Sequence, residues 1–316
     1  MRPRVFIDGA AGTTGLELRQ RLEARSDLQV IRLSDSERKA VDARTQALNE
    51  ADIAILCLPD AAAREAANLI ANPSVRVLDA SSAHRVVPGW VYGFAELEPD
   101  QRSRIASAGR VANPGCYATA FLALVRPLVR AGLLPSEYPL TVNAISGYSG
   151  GGRSMIAEFE DTQSPDCAGT AARIYALGLA HKHTAEMQAH CGLAHPPVFA
   201  PSVGRFYRGM LLEVPLQLWS LPMNPLVADL HRVLSDTYCG ERLVEVAGLD
   251  DAGELKSLNV ETLKDANGIK LYVFGNDKPH QARLVAVLDN LGKGASGAAV
   301  QNLNLMLGLP ETTGLV

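Results

Sequence analysis

The segment "RVFIDGAAGTTGLELRQRLEAR", Arg4 to Arg25, constrains the fold of this chain more than any other. A short β-branched and aromatic run is followed by a glycine-rich turn and then by Leu16, Leu18 and Leu22 set among charges, the pattern of strand, loop and helix. Gly9, Gly12 and Gly15 fall at G-x-x-G-x-x-G spacing, with Thr13 and Thr14 between the last two. Glycine permits the tight turn and lets backbone approach a pyrophosphate, while free N–H groups at a helix start favour negative charge. The spacing therefore points to a dinucleotide; a bare structural turn is the alternative.

The same rhythm continues. "LQVIRLS" reads as a second strand and "ADIAILCLP", which ends at Pro59, as a strand buried on both faces. "AAAREAANLIA" is a helix and "SVRVLDASS" a further strand, so strands recur about every 25 residues and predict a doubly wound parallel sheet of Rossmann type over residues 1–115. From about Leu140 the pattern changes. "LTVNAIS", "GMLLEVPLQLW", "RLVEVAG", "SLNVETLKD", "KLYVFGND" and "QARLVAVLDN" alternate with period 2, which predicts an α+β domain with a mainly antiparallel sheet over residues 116–293. The last segment, residues 294–316, begins as a helix of small residues.

The second strand ends near Ser34, 19 residues after Gly15, where an NAD site usually presents an acid to the ribose 2′-hydroxyl. Here the sequence is "RLSDSERKA". Ser34, Ser36, Arg38 and Lys39 suit a 2′-phosphate and favour NADP, against the single acid Asp35; solvated loop residues are the plainer reading.

A net charge of −4 argues against nucleic acid or an anionic membrane as the main partner, since both need concentrated Lys and Arg. The apolar stretch before Asp8 is too short for a signal peptide or a membrane span, and the chain reads as cytoplasmic. Five cysteines, widely spaced and without a C-x-x-C pair, argue against a disulfide framework and a structural zinc site. Each has to be judged by its own surroundings.

Cys116 has the most informative ones. Pro114 and Gly115 break the chain and "YATAFLALVRPLV" has the content of a buried helix, which sets Cys116 at a helix N-terminus. Partial positive charge there stabilises a thiolate, lowering the pKa from about 8.5, and nearby amide N–H groups suit an oxyanion. "GLAHKHTAEMQ" supplies a base: His181, His183 and Glu186, of which His183 and Glu186 share a helix face at i, i+3. No H-E-x-x-H motif accompanies the two histidines, and no metal is expected. "ISGYSGGGRSM", with Ser149 and Arg153, can surround an anion or serve as a plain connection. "LDASSAHR" places Ser81, Ser82 and Arg85 at a strand's carboxyl end, the crevice position of open α/β sheets.

A nicotinamide cofactor with a cysteine nucleophile points to aldehyde chemistry through a thioester. At "GAAGTTG", "DASSAHR", "YGFAELEP", "NPGCYAT", "SGYSGGGR", "HKHTAE", "RGM" and "DNLGKGASGAAVQNLNLM" the chain resembles the N-acetyl-gamma-glutamyl-phosphate reductases of arginine biosynthesis, in their shorter form, within the aspartate-semialdehyde dehydrogenase superfamily. It departs from the family's usual His-Arg-His-x-Pro-Glu segment at Lys182 and Ala185.

The resemblance implies that Cys116 attacks the acyl phosphate, phosphate leaves, NADPH reduces the thioester, and His181 or His183 moves the proton as the semialdehyde is released. It also implies that Asn290 and Gly294 serve the cofactor, that Asn113, Arg208, Arg153, Ser149, Ser81 and Arg85 serve the substrate, and that the C-terminal helix returns to the cofactor domain. A homodimer or homotetramer is expected. Aspartate-semialdehyde dehydrogenase chemistry is the nearest alternative, although "FAPSVGRFYRGM" lacks that family's histidine; a non-catalytic NADP-sensing protein on the same fold is the other.

Overall fold

A computed structural model describes residues 2–9, 12–34, 36–163 and 167–315, without the side chain of Lys39. Asp35 and the Lys39 side chain, both weighed above for cofactor choice, lie outside the described residues. The chain divides into two compact units, one of Met1–Pro114 with Ala295–Val316 and one of Gly115–Gly294.

The first unit runs β1 (Arg4–Asp8), α1 (Thr13–Glu23), β2 (Gln29–Ile31), α2 (Val41–Glu50), β3 (Ile53–Leu56), α3 (Asp60–Leu69), β4 (Arg76–Asp79), β5 (Val91–Tyr92), α4 (Gln101–Ser107) and β6 (Arg110–Ala112). The strands form one sheet in the order β2-β1-β3-β4-β6-β5, every pairing parallel. All four residues of β3 are buried, as an interior parallel strand covered on both faces requires. The order reverses between β1 and β3, so Gly9, after β1, lies beside Cys57, just beyond the end of β3. Such a switch point opens a crevice at the carboxyl ends of the strands.

The second unit contains α5 (Cys116–Arg130), β7 (Thr141–Gly147), α6 (Gly152–Glu160), β8 (Ala172–Ile174), α7 (His183–Cys191), β9 (Val198–Gly204), β10 (Met210–Gln217), α8 (Val227–Thr237), β11 (Val244–Val246), α9 (Leu249–Glu254), β12 (Ile269–Asn276) and β13 (Gln281–Leu288). Its sheet has the order β11-β12-β13-β10-β7-β9-β8. The pairings of β10 with β13 and β7, of β12 with β13 and of β8 with β9 are antiparallel, whereas β7–β9 and β11–β12 are parallel. Helix α5 is the spine of this unit: Phe121, Leu122, Leu124, Val125 and Leu128 are fully buried, and α5 packs on β10, β12 and β13. Along β10 the period-2 pattern is visible, with Met210, Leu212, Val214 and Leu216 buried. The closing helix α10 (Gly297–Met306) packs in the first unit against α1, α4 and β4.

Two local expectations are corrected. "SLNVETLKD" forms turns rather than a strand: Leu258 and Leu263 pack against the cluster of Tyr272, Val285 and Val287 without entering the ladder. "ISGYSGGGRSM" is not an open loop. It closes as a short 3₁₀ turn, Tyr148–Gly151, and runs into α6. The N–H groups of Gly147, Tyr148 and Ser149 already donate to the carbonyls of Gly209, Phe206 and Tyr207.

Candidate active site

In the second unit, Gly115 is the N-cap of α5 and brings no side-chain cap, so Cys116 opens the helix at its N–H end. The N–H of Gly115 itself is taken by another helix. Glu186 of α7 is buried and its Oε2 accepts the Gly115 N–H at 3.0 Å. The same carboxylate lies 3.9 Å from His183 Nε2 through Oε1. Glu186 thus ties the Asn-Pro-Gly approach and the histidine to one point.

The His-x-His spacing is explained by the turn that starts α7. The His183 N–H donates to His181 Nδ1 at 3.1 Å, which leaves neutral His181 with its proton on Nε2. The His181 and His183 rings stand edge to face, 4.7 Å apart, and Tyr117 lies 5.7 Å from each. Cys116, Tyr117, Ser146, Gly150, Tyr175, His181 and His183 line one cavity of about 260 Å³. A nucleophilic sulfur, two imidazoles and hydroxyl donors around a cavity of this size suit addition to a small carbonyl compound. The other thiols differ: burial pushes Cys57 and Cys191 up to about 12, which keeps both protonated and inert.

The remaining residues singled out in the sequence separate by place. Gly294 abuts Cys116, since a β-carbon there would lie 2.7 Å from Cys116 Cβ. Asn290 spends its amide inside the protein, accepting from the Gly209 N–H at 2.8 Å and donating to Ser149 Oγ at 2.9 Å. Arg208 is held by Asp265 and, at 3.3 Å, by Asp289. Arg153 stands exposed in the first turn of α6.

In the first unit Asp79 organises the turn after β4. Its carboxylate takes the Ser81 N–H and hydroxyl at 2.9 and 2.7 Å and His84 Nδ1 at 2.6 Å, and His84 stacks on Trp90. The Ser81 hydroxyl also accepts from the Ala83 N–H. Arg85 is buried, with Nη2 on the Ala80 carbonyl. Asn113 donates to the Ala295 carbonyl and accepts from Asn302.

The glycine loop carries the signature of a ligand. Gly9 has φ +89 and a β-carbon there would strike the Cys57 carbonyl oxygen at 2.3 Å, so protein packing alone demands glycine. At Gly12 a β-carbon would meet nothing nearer than 3.7 Å. Packing among the described residues does not require that glycine. Thr13 Oγ1 is buried at the start of α1 with no hydrogen-bond partner among the described residues, as a phosphate-binding hydroxyl would be. Arg38 lines a cavity of about 290 Å³ with Gly9 and Leu33, whereas the Ser34 hydroxyl is taken by Glu37 at 2.6 Å. Pro59 caps α3 at the same strand ends. Among the described residues no group of three or more His, Cys, Asp or Glu could hold a metal ion, and no helix is long and apolar enough to cross a membrane.

Family models match both units: the semialdehyde dehydrogenase NAD binding domain over residues 4–105 and the semialdehyde dehydrogenase dimerisation domain over residues 116–290. The chain is 50% identical over 320 residues to N-acetyl-gamma-glutamyl-phosphate reductase 2 of Nostoc sp., covering 99% of each. It is 54% identical over 309 residues to N-acetyl-gamma-glutamyl-phosphate reductase of Brucella anthropi, covering 98% of this chain and 99% of the relative. The chain belongs to the N-acetyl-gamma-glutamyl-phosphate reductase family.

The fold is that of the wider superfamily. Aspartate semialdehyde dehydrogenase II from Vibrio cholerae, solved with ASA, superposes with a TM-score of 0.75 at 17% identity, covering 98% of this chain and 99% of that one. A probable aspartate-semialdehyde dehydrogenase from Pseudomonas aeruginosa gives 0.72 at 20%, covering 97% and 99%. At such identities these likenesses show the fold alone. Tyr117, Ser146 and Tyr175 line the cavity without having been singled out from the sequence. Tyr117 and Ser146 lie within quoted motifs, whereas Tyr175 carried no sequence signal.

Proposed function

We propose that the protein is an NADP-dependent acyl-phosphate reductase that converts N-acetyl-gamma-glutamyl phosphate to N-acetylglutamate 5-semialdehyde and phosphate, the arginine-biosynthetic reaction for which its relatives are named. The observation that carries the reading is the single cavity shared by Cys116, His181 and His183, in a chain half identical to those reductases over nearly its full length.

Gly12, Thr13, Thr14 and Gly15 would hold the cofactor's pyrophosphate and Arg38 its 2′-phosphate. When bound, NADPH supplies a hydride to the acyl carbon carried on the cysteine. Cys116 attacks that carbon as thiolate, its sulfur forming the new bond while phosphate departs with the electron pair of the old one. The N–H groups at the start of α5 favour the anion that develops. The oxygen left anionic by reduction takes a proton from an imidazolium, and the imidazole takes that proton back as the thiohemiacetal collapses and the C–S bond breaks with its electron pair on sulfur. His183 is the better candidate, because Glu186 stands behind it to stabilise an imidazolium. His181, with its proton on Nε2, serves as a hydrogen-bond donor. Arg208, Arg85, Ser149, Ser81, Asn113 and Arg153 are candidates for the substrate's carboxylate and phosphate. For Arg208 an anionic substrate must compete with Asp265 and Asp289.

We read the assembly as a homodimer or homotetramer. Support comes from the dimerisation-domain match and from a groove of about 650 Å³ on the sheet of the second unit, lined in part by Leu211, Pro215, Leu255 and Phe274. None of the five cysteines is in a disulfide, as a reducing compartment keeps them, and on that ground we assign the enzyme to the cytoplasm.

The test is phosphate-dependent reduction of NADP by the purified protein with N-acetylglutamate semialdehyde, aspartate semialdehyde serving as control. Cys116→Ser abolishes turnover and leaves NADP binding intact. Turnover retained in that variant, or a preference for aspartate semialdehyde, refutes the assignment.

A further inference from the structure

Two phenols in the Cys116 cavity have no part in the scheme above. Tyr175 follows β8 and Tyr117 is the second residue of α5; their hydroxyls lie 2.9 Å apart. Burial holds both protonated, Tyr117 well above its ordinary range and Tyr175 up to about 12. Each phenol therefore brings one hydrogen, and their mutual bond uses one of the two. When Tyr117 donates in that bond, the hydrogen left over is the one on Tyr175, whose hydroxyl bonds only to Tyr117 among the described residues. A hydroxyl that accepts a hydrogen bond is polarised by it and becomes a strengthened donor.

What that hydrogen faces follows from its neighbours. Tyr175 lines the cavity together with Cys116, and a negative charge on the Cys116 sulfur raises both phenols, which places the sulfur within electrostatic reach of the pair. Among the described residues the Tyr175 hydroxyl bonds only to Tyr117, and the space that it shares with the sulfur is the cavity itself. That cavity is the space open to a group bound covalently to the sulfur.

We propose that Tyr175 is a further catalytic residue, whose hydroxyl donates a hydrogen bond to the acyl oxygen of the substrate carried on Cys116. The role rests on the reading of Cys116 as the nucleophile. As the S–C bond forms, the carbonyl π pair moves onto oxygen; as the carbonyl re-forms, that pair returns and the C–O bond to phosphate breaks. The same oxygen carries charge again after reduction of the thioester. Tyr175 keeps its proton throughout and stabilises the oxygen while it is anionic, as a side-chain member of an oxyanion site.

The experiment compares Tyr175→Phe, Tyr117→Phe and wild type in three measurements: kcat and KM for N-acetylglutamate semialdehyde, the melting temperature, and the pH dependence of Cys116 alkylation by iodoacetamide, which needs no cofactor. Y175F is expected to lower kcat by about 10²-fold, with little change in KM and an unshifted thiol titration. Y117F keeps the Tyr175 hydrogen, removes only the bond that aims it, and costs less. Wild-type kcat in Y175F overturns the role. So does a raised KM with kcat intact, which would make the contact one of ground-state binding. A shifted thiol titration would put the hydrogen bond on sulfur and overturn it too, as would a loss in Y117F equal to or larger than that in Y175F. Wild-type protein inactive on N-acetylglutamate semialdehyde fails the function assignment and this role with it, whereas an active wild type with an unimpaired Y175F fails this role alone.

Discussion

A β-carbon on Gly294 would stand 2.7 Å from the β-carbon of Cys116 and 3.4 Å from its Cα. The Gly294 N–H is fixed on the Asp289 carbonyl at 3.0 Å, so neither partner has room to yield without moving the start of α5 or the end of β13. Gly294 is part of the mould in which Cys116 sits. Gly294→Ala is expected to displace the sulfur and cut kcat about 10²-fold, with an overpacking cost of about 1–3 kcal/mol. Steady-state kinetics and a urea titration measure the two effects, and wild-type kcat in this variant would show that the contact yields freely.

Replacing the histidines one at a time separates their roles. His183 has Glu186 at 3.9 Å, whereas His181 uses Nδ1 to accept the His183 N–H. His183→Ala is therefore expected to lose the proton-transfer contribution of about 10²–10⁴-fold in kcat, and His181→Ala less. Glu186→Gln keeps an acceptor for the Gly115 N–H but removes the charge behind the imidazole, so it should fold as wild type does and shift the acid limb of the kcat/KM profile to lower pH. An H181A loss larger than that of H183A would reverse the assignment.

Much of this was legible in the sequence, for identifiable reasons. The parallel sheet and the glycine loop could be read because strand period, helix period and turn glycines are local signals. The cysteine at a helix start was likewise written in Asn-Pro-Gly-Cys, and the charged partner of His183 in the i, i+3 spacing. What could not be read are the contacts between elements far apart in the sequence. Glu186 on the Gly115 N–H, Gly294 against Cys116 and Tyr175 on Tyr117 join positions whose proximity only the folded chain creates. Alternation misled at "SLNVETLKD", because a segment of turns can bury every few leucines without joining a sheet. Glycine density at "SGYSGGGR" suggested a loop, whereas the segment closes as a 3₁₀ turn in which the Gly147, Tyr148 and Ser149 N–H groups bond the segment from Phe206 to Gly209.

The buried thiols make stability depend on alkaline pH. Burial pushes Cys57 and Cys191 from 9.0 up to about 12. The folded state holds these protons more tightly than the unfolded one. Their contribution is fully present below about pH 9 and is lost as pH rises toward about 12. Urea midpoints at about pH 8 and about pH 10.5 should show wild type losing more stability between the two than Cys57→Ala or Cys191→Ala, although each variant starts lower because of the cavity it opens. Equal losses in wild type and both variants would mean that other groups set the alkaline limit.

Gly12 offers the sharpest test of the cofactor loop, because it separates folding from binding. At Gly9 the Cys57 carbonyl excludes any side chain, and a loss of NADPH affinity in a Gly9 variant would be confounded with disturbed packing. Gly12 has ordinary backbone angles, φ −74 and ψ 167, and a β-carbon there meets only the Gly9 and Cys57 carbonyl oxygens at 3.7 and 3.9 Å. Gly12→Ala should therefore melt within a degree or two of wild type, since reduced freedom of the unfolded chain changes stability by only about 0.4–1 kcal/mol. If the pyrophosphate comes down on this turn, the added methyl group stands between it and the N–H groups at the start of α1, and NADPH fluorescence titration should show affinity reduced by about tenfold or more. Thr13→Val removes the hydroxyl that lacks a partner among the described residues and leaves the volume nearly unchanged, so it should weaken binding without weakening the fold. Unaltered NADPH affinity in both variants, with the fold intact, would move the cofactor away from this loop.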